Sequence, residues 1–190
     1  GCVVADVTGK GVPASLLRAT MRATLRANIQ NNPNDIVQAL RQVNGDIYRD
    51  SPVDKFITSI YCNLDYHRHE ISYVNSGHNP PYIVRADDSR IEELEQGGVM
   101  LGIMEEIDLP KVTLSIGKGD ILMLFSDGVT EATNPSGELF SEESFEQWLL
   151  DHNQLSAEEM KKALLETLQD YADGSPQSDD ITFIIVKRTN

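Results

Sequence analysis

The period of the apolar residues changes twice along this chain of 190 residues, and that change limits the fold more than any other feature. Leu17, Met21, Leu25 and Ile29 recur every four residues, and Ile36, Leu40, Val43 and Ile47 at four, three and four. Such spacings lay one apolar stripe along each of two helices. From Phe56 to Phe125 the apolar residues recur in short runs of period two, the mark of strands. A second helical pair follows at about 141–151 and 156–171, the latter striped by Met160, Leu164, Leu168 and Tyr171. Apolar runs at 1–6 and 181–186 read as buried strands. Strand, two helices, many antiparallel strands, two helices, strand is an α+β layered order, and not alternating βαβ.

Local signals set the boundaries. Pro13 suits the first turn of a helix, and Asn32 with Pro33 reads as cap and first residue of the next. Ser156 and Glu159 have the spacing of a capping box. Segments 56–64 and 71–74 make one hairpin, 82–84 and 90–94 a second, and 112–116 precedes 121–125 across Gly117-Lys118-Gly119-Asp120. No internal repeat or linker divides the chain, so 1–190 is expected to be a single domain. It opens inside an apolar run, Gly-Cys-Val-Val-Ala-Asp, without an initiator Met. A fragment of something longer is therefore expected.

Composition narrows the function. The net charge is −14, with 16 basic and 30 acidic residues, which argues against wrapping nucleic acid or anionic lipid. No apolar run approaches the roughly 18 residues of a membrane helix. Cys2 and Cys62 belong to no Cys-x-x-Cys pair, and two buried free thiols fit a cytoplasmic protein. Residues 91–190 carry 6 bases against 21 acids, so the charge excess lies in that half. Solvated Glu-rich helices account for most of it.

A few acids do not fit that account. Asp6 follows the first strand, Asp127 follows the strand ending at Phe125, and Asp179 with Asp180 precedes the last. Each stands at the mouth of a buried strand, where an unpaired charge is costly. They are either turn-forming Asp residues or ligands of a hard cation; oxygen ligands without His or Cys favour Mg²⁺ or Mn²⁺ over Zn²⁺.

Four segments then carry a resemblance. Val4-Ala5-Asp6-Val7-Thr8-Gly9-Lys10-Gly11-Val12-Pro13-Ala14 resembles the GDVSGKGVPAA segment of the SpoIIE/RsbU-like bacterial branch of the metal-dependent (type 2C) protein phosphatases. Asn75-Ser76-Gly77-His78-Asn79-Pro80-Pro81 resembles its NAGHPPP loop, Ser126-Asp127-Gly128-Val129-Thr130-Glu131-Ala132 its SDGVTEA segment, and Ser178-Asp179-Asp180-Ile181-Thr182 its DDIT ending. Order and spacing agree along essentially the whole chain.

The resemblance implies an α-β-β-α four-layer sandwich of antiparallel sheets and a protein serine/threonine phosphatase that uses a metal-activated water. It implies two Mn²⁺ or Mg²⁺ ions. By position, Asp6 would bridge both metals, the Val7 carbonyl would bind one, and Asp127 and Asp179 would bind the second, which makes Asp6, Asp127 and Asp179 the catalytic carboxylates. Asp180 would be a close neighbour, Gly9 and Gly11 would let the backbone turn beside the metal, and Gly128 follows Asp127 in its turn. The implied substrate is phosphoserine or phosphothreonine on a STAS-domain anti-anti-sigma-type regulator, in partner switching that frees a sigma factor. A sensory or receiver domain upstream and a homodimer through an open sheet edge are the further partners. One departure stands out: the family's acidic GGDxxD motif, upstream of the Asp6 segment, has no counterpart here. The resemblance therefore implies a domain truncated at its N-terminus and lacking its first strands. A regulatory or binding domain of the same fold without turnover is thus the alternative.

Other residues read more simply. His78 is expected to brace its loop; His67 and His69 flank a solvated turn; Lys10 is a surface lysine; Phe140, Phe145 and Trp148 are core. Arg18, Arg22 and Arg26 form a basic stripe that either pairs with neighbouring acids or docks a partner.

Overall fold

The first helical stripes and the inward-facing residues of the early strands become one packed surface. The computed structural model describes residues 1–9, 11–32, 35–51, 55–177 and 179–190. These form β1 (Cys2–Val7), α1 (Val12–Asn31), α2 (Ile36–Asp50), β2 (Ile57–Asp65), β3 (Glu70–Ser76), β4 (Tyr82–Val84), β5 (Ile91–Glu93), β6 (Lys111–Ser115), β7 (Ile121–Phe125), α3 (Glu142–His152), α4 (Ala157–Ala172) and β8 (Phe183–Lys187). Two units follow: Gly1–His78 with Gln96–Leu114, and Asn79–Glu95 with Ser115–Asn190. Their sheets run β1-β2-β3-β6 and β5-β4-β7-β8. This is the α+β class, with two four-stranded sheets and four helices among the described residues.

In the first unit, β1 lies antiparallel to β2 with Val7 opposite Ile57 and Val3 opposite Tyr61. Val7, Ile57, Tyr61 and Val74 pack against Leu17, Met21 and Leu25 of α1 and Ile36, Leu40, Val43 and Ile47 of α2. Each such side chain, fully buried, contributes about 1.5–3 kcal/mol. Asn44 is buried within the α2 stripe. Its amide donates to the carbonyls of Met104 (3.0 Å) and Glu105 (2.9 Å) and accepts the Gly102 N–H (2.8 Å). A buried amide so occupied costs little and pins the 102–105 loop to the helix.

Two expectations need correction here. Asn32 does not start the second helix; it closes α1, its N–H donating to Asn28 O at 2.9 Å. Asp35 caps α2 instead, its carboxylate accepting the Gln38 N–H at 3.0 Å. An acid three residues ahead of a free N–H satisfies both the orphan donor and the helix dipole. Pro33, expected as the first residue of α2, lies outside the described residues. The first strand is not buried throughout, because among the described residues it is paired on one side only: Val4 and Val7 are buried, Val3 and Ala5 exposed, and Cys2 half-buried.

In the second unit β7 is central, and all five of its residues are buried. Phe125 meets Phe145 of α3 edge-on at 4.9 Å and Tyr82 at 5.0 Å. Met160, Leu164 and Leu168 of α4 join that cluster. Phe140, Phe145 and Trp148 are core, and the Trp148 indole donates to Thr167 Oγ1 at 3.0 Å. Both halves of the Ser156–Glu159 capping box are made. The last strand departs from expectation: β8 is half-buried along its length because among the described residues it too is paired on one side only.

One buried ionic cluster had no sequence signal. Arg85 follows β4 with its side chain 18% exposed. It donates from Nη2 to Glu92 (2.7 Å) and from Nη1 to Asp120 (2.8 Å) and to the Ser115 carbonyl (3.0 Å). The side chain of Asp120 is 7% exposed and also accepts the N–H groups of Ala86 (2.9 Å) and Gly117 (2.7 Å). Burial alone would raise the Asp120 pKa; those backbone donors and Arg85 outweigh it and hold the carboxyl below the usual range. Glu92 is lowered chiefly by its hydrogen bond to Arg85.

Candidate functional site

The residues singled out from the sequence fall in both units. In the first, Asp6 stands on β1 opposite Thr58. Its side chain is 42% exposed and pairs with Arg18 of α1 at 3.6 Å. Arg18 thus does what a neighbouring base is expected to do for an acid at a strand end. The pairing is weak, because both side chains reach water.

The strand end is held by Thr8. Its N–H and its hydroxyl both donate to the Phe56 carbonyl at 3.1 Å, and its hydroxyl accepts the Phe56 N–H at 3.0 Å. The Val7 side chain is anchored in the core just before. Gly9 and Gly11 then take φ of 93° and 84°, where a side chain is strained. Gly11 caps α1, so the chain passes from strand to helix within a few residues of Asp6. Lys10 lies outside the described residues.

The Asn75–His78 loop is braced as expected. The Asn75 side chain accepts the His78 N–H at 2.8 Å and donates to the His78 carbonyl at 2.9 Å. His78 Nδ1 meets Thr58 Oγ1 at 3.0 Å, and Thr58 is the cross-strand neighbour of Asp6. That connection was not visible in the sequence.

In the second unit, two loops are locked together by one serine. Ser126 donates its N–H to the Thr182 carbonyl (2.9 Å) and its hydroxyl to the Asp180 carbonyl (3.0 Å), and the hydroxyl accepts the Thr182 N–H (3.0 Å). The Asp127 loop and the 179–182 segment are therefore one piece of backbone geometry. Within it, the Asp127 carbonyl accepts from the Glu131 N–H (2.8 Å) and the Thr130 hydroxyl (3.2 Å). The Asp127 carboxylate is half-buried and has no hydrogen-bond or ion-pair partner among the described residues. Asp179 is half-buried and accepts the Asp180 N–H at 2.7 Å; Asp180 is exposed. Ser178 lies outside the described residues. The histidines of the 65–70 hairpin turn belong to no such cluster, and the Asp65 carboxylate there accepts the N–H groups of His67 and Arg68.

Gly128 is the tightest point of this junction. A Cβ there would overlap the Asp180 carbonyl oxygen and lie 2.9 Å from its carbon. Both are backbone atoms and cannot swing aside. Gly128→Ala is expected to cost about 1–3 kcal/mol, as overpacking does, with each kcal/mol lowering the melting temperature roughly 2–4 °C in a chain of this size. Thermal unfolding followed by circular dichroism checks it; an unchanged midpoint would show that the loop yields freely.

The donor set suits a hard divalent cation. Taken unit by unit, the first offers the Asp6 carboxylate and the Val7 carbonyl and the second the Asp127 and Asp179 carboxylates, and the unpartnered half-buried Asp127 carboxylate is what such an ion satisfies. Among the described residues no three His, Cys, Asp or Glu side chains converge as they stand.

Comparison with known proteins follows the same residues. The family described as Stage II sporulation protein E (SpoIIE) matches residues 1–189. The phosphoserine phosphatase RsbU of Bacillus subtilis (strain 168) is 31% identical over 185 residues, which are 97% of this chain and 54% of that protein. The phosphoserine phosphatase RsbP of the same organism is 28% identical over 189 residues, 98% of this chain and 45% of that protein. The chain thus spans about half the length of these relatives. Among solved structures, the SiaA-PP2C domain of Pseudomonas aeruginosa superposes with a TM-score of 0.85 at 21% identity, over 97% of this chain and 74% of that one. The fold is that of the type 2C phosphatase domains.

Proposed function

The chain belongs to the stage II sporulation protein E (SpoIIE) family, and from that premise we propose that it hydrolyses phosphoserine or phosphothreonine in a protein. The observation that carries this reading is the Asp127 carboxylate, half-buried and unpartnered among the described residues, on a loop latched to the segment bearing Asp179. Asp127 and Asp179 offer ligands to one Mn²⁺ or Mg²⁺ ion, and Asp6 with the Val7 carbonyl offers a second donor group. When bound, such ions lower the pKa of a coordinated water and neutralise phosphoryl oxygens.

The protein's own part is positional. Ser126 fixes where Asp127 points, Gly128 allows the two loops to touch, and Thr8 with Gly9 and Gly11 sets the strand end after Asp6. Arg18 pairs with Asp6 only loosely, at 3.6 Å between two water-exposed side chains, so that a cation can replace it. The relatives named phosphoserine phosphatase support the substrate class. A STAS-domain regulator of the anti-anti-sigma type, an upstream sensory or receiver domain, partner switching in the cytoplasm, and a homodimer complete the reading. Among the described residues no helix is long and apolar enough to cross a membrane.

The test is phosphate release from a phosphoserine-bearing STAS protein. Release is expected with Mn²⁺ or Mg²⁺ and is expected to stop on chelation. Binding of Mn²⁺ in calorimetry without release would instead favour a binding domain of the same fold.

A further inference from the structure

Cys2 and Cys62 take no part in the site described above, yet the fold sets them face to face. The antiparallel register of β1 and β2 pairs Cys2 directly with Cys62. Residues so opposed hold their Cβ atoms about 4.5–5.5 Å apart, and a disulfide asks for about 3.5–4.5 Å. Closure therefore needs an approach of roughly one ångström, not a rearrangement. Among the described residues β1 is paired on one side only and can make that approach, whereas β2 is flanked on both sides.

The two thiols also differ as a redox pair requires. Cys2 is half-buried and within reach of a small oxidant; Cys62 is buried. The Cys62 thiol beside it favours the Cys2 thiolate and holds its pKa below the usual thiol range. The same pairing, with burial, pushes Cys62 up. Cys2 is thus the thiolate nucleophile, and Cys62 keeps its proton until it is needed.

We propose that Cys2 and Cys62 are a peroxide-oxidised dithiol that closes to a cross-strand disulfide joining β1 to β2. The Cys2 thiolate attacks one oxygen of hydrogen peroxide; the O–O bond breaks and hydroxide leaves, giving Cys2 sulfenic acid. The Cys62 sulfur then attacks the Cys2 sulfur; the S–O bond breaks, and the departing hydroxide takes the Cys62 proton as water. Two thiols and one peroxide become one disulfide and two waters, and a thiol reductant reverses it. The bond ties down the end of β1 remote from Asp6, so oxidation stiffens the strand that carries that acid.

The experiment treats the chain with hydrogen peroxide, denatures it, alkylates it and measures intact mass and peptide masses. The wild type is expected to lose the mass of two hydrogens, to give a Cys2–Cys62 linked peptide, and to take no alkylating label until reduced. Cys62→Ala is expected to trap Cys2 as a dimedone adduct, and Cys2→Ser to leave Cys62 unoxidised. Full alkylation of both cysteines after peroxide, disulfides between chains only, or a folded Cys62→Ala protein without the adduct would each overturn the proposal.

Discussion

Replacing Asp127 by Asn is expected to lower phosphate release by at least about a hundredfold, because loss of an outer partner of a metal ligand already costs 10–100-fold. Asn keeps the size of the side chain and one carbonyl oxygen but removes the charge that a cation needs. The fold should not suffer. The Asp127 carboxylate makes no hydrogen bond or ion pair among the described residues, and its backbone bonds to Glu131 and Thr130 are untouched. The melting temperature should stay level or rise slightly, since a half-buried lone charge is gone. Calorimetric Mn²⁺ binding should weaken in parallel with release. Undiminished release would take Asp127 out of the chemistry.

Replacing Arg85 by Met should have the largest effect on stability. Removing one partner of a buried ion pair costs about 3–5 kcal/mol, because the other charge is left uncompensated. Asp120 is that charge, with Glu92 beside it. At roughly 2–4 °C per kcal/mol the midpoint should fall by some 6–20 °C. The sign of the pH dependence is a sharper check. Asp120 and Glu92 both have lowered pKa values in the folded protein. The stability they lend is present above their unfolded values, about 3.9 and 4.3, and is lost as the pH falls through the folded ones. The gap between wild type and Arg85→Met should therefore be widest near neutrality and shrink below about pH 4. A gap that did not change with pH would show that Arg85 acts by packing alone.

Much of this molecule could be read from its chain. Every apolar position of the α2 stripe is buried, and the Ser156–Glu159 box formed as its spacing required. Those are local signals, complete within a few residues. The errors in the strands share one cause. An apolar strand reads as buried, but β1 and β8 are half-open because among the described residues each has a neighbour on one side only, and strand order is not written locally. Arg85 and Asp120 lie 35 positions apart, so their pairing has no periodic trace. The candidate site divides likewise. Carboxylates at strand mouths marked Asp6, Asp127 and Asp179. Ser126 stood out only as the first residue of the Asp127 segment, and its bonds to a segment 54 and 56 positions away gave no sign.

The latch made by Ser126 has a mechanical side. β8 runs antiparallel to β7 from Phe183 opposite Phe125 to Lys187 opposite Ile121. Fraying or tension that enters from beyond Lys187 must unzip the edge strand rung by rung, starting at the end remote from Asp127. The Ser126–Thr182 junction is the last tooth of that zipper. The loop bearing Asp127 is thus insulated by the full length of β8 from whatever pulls on the chain past it.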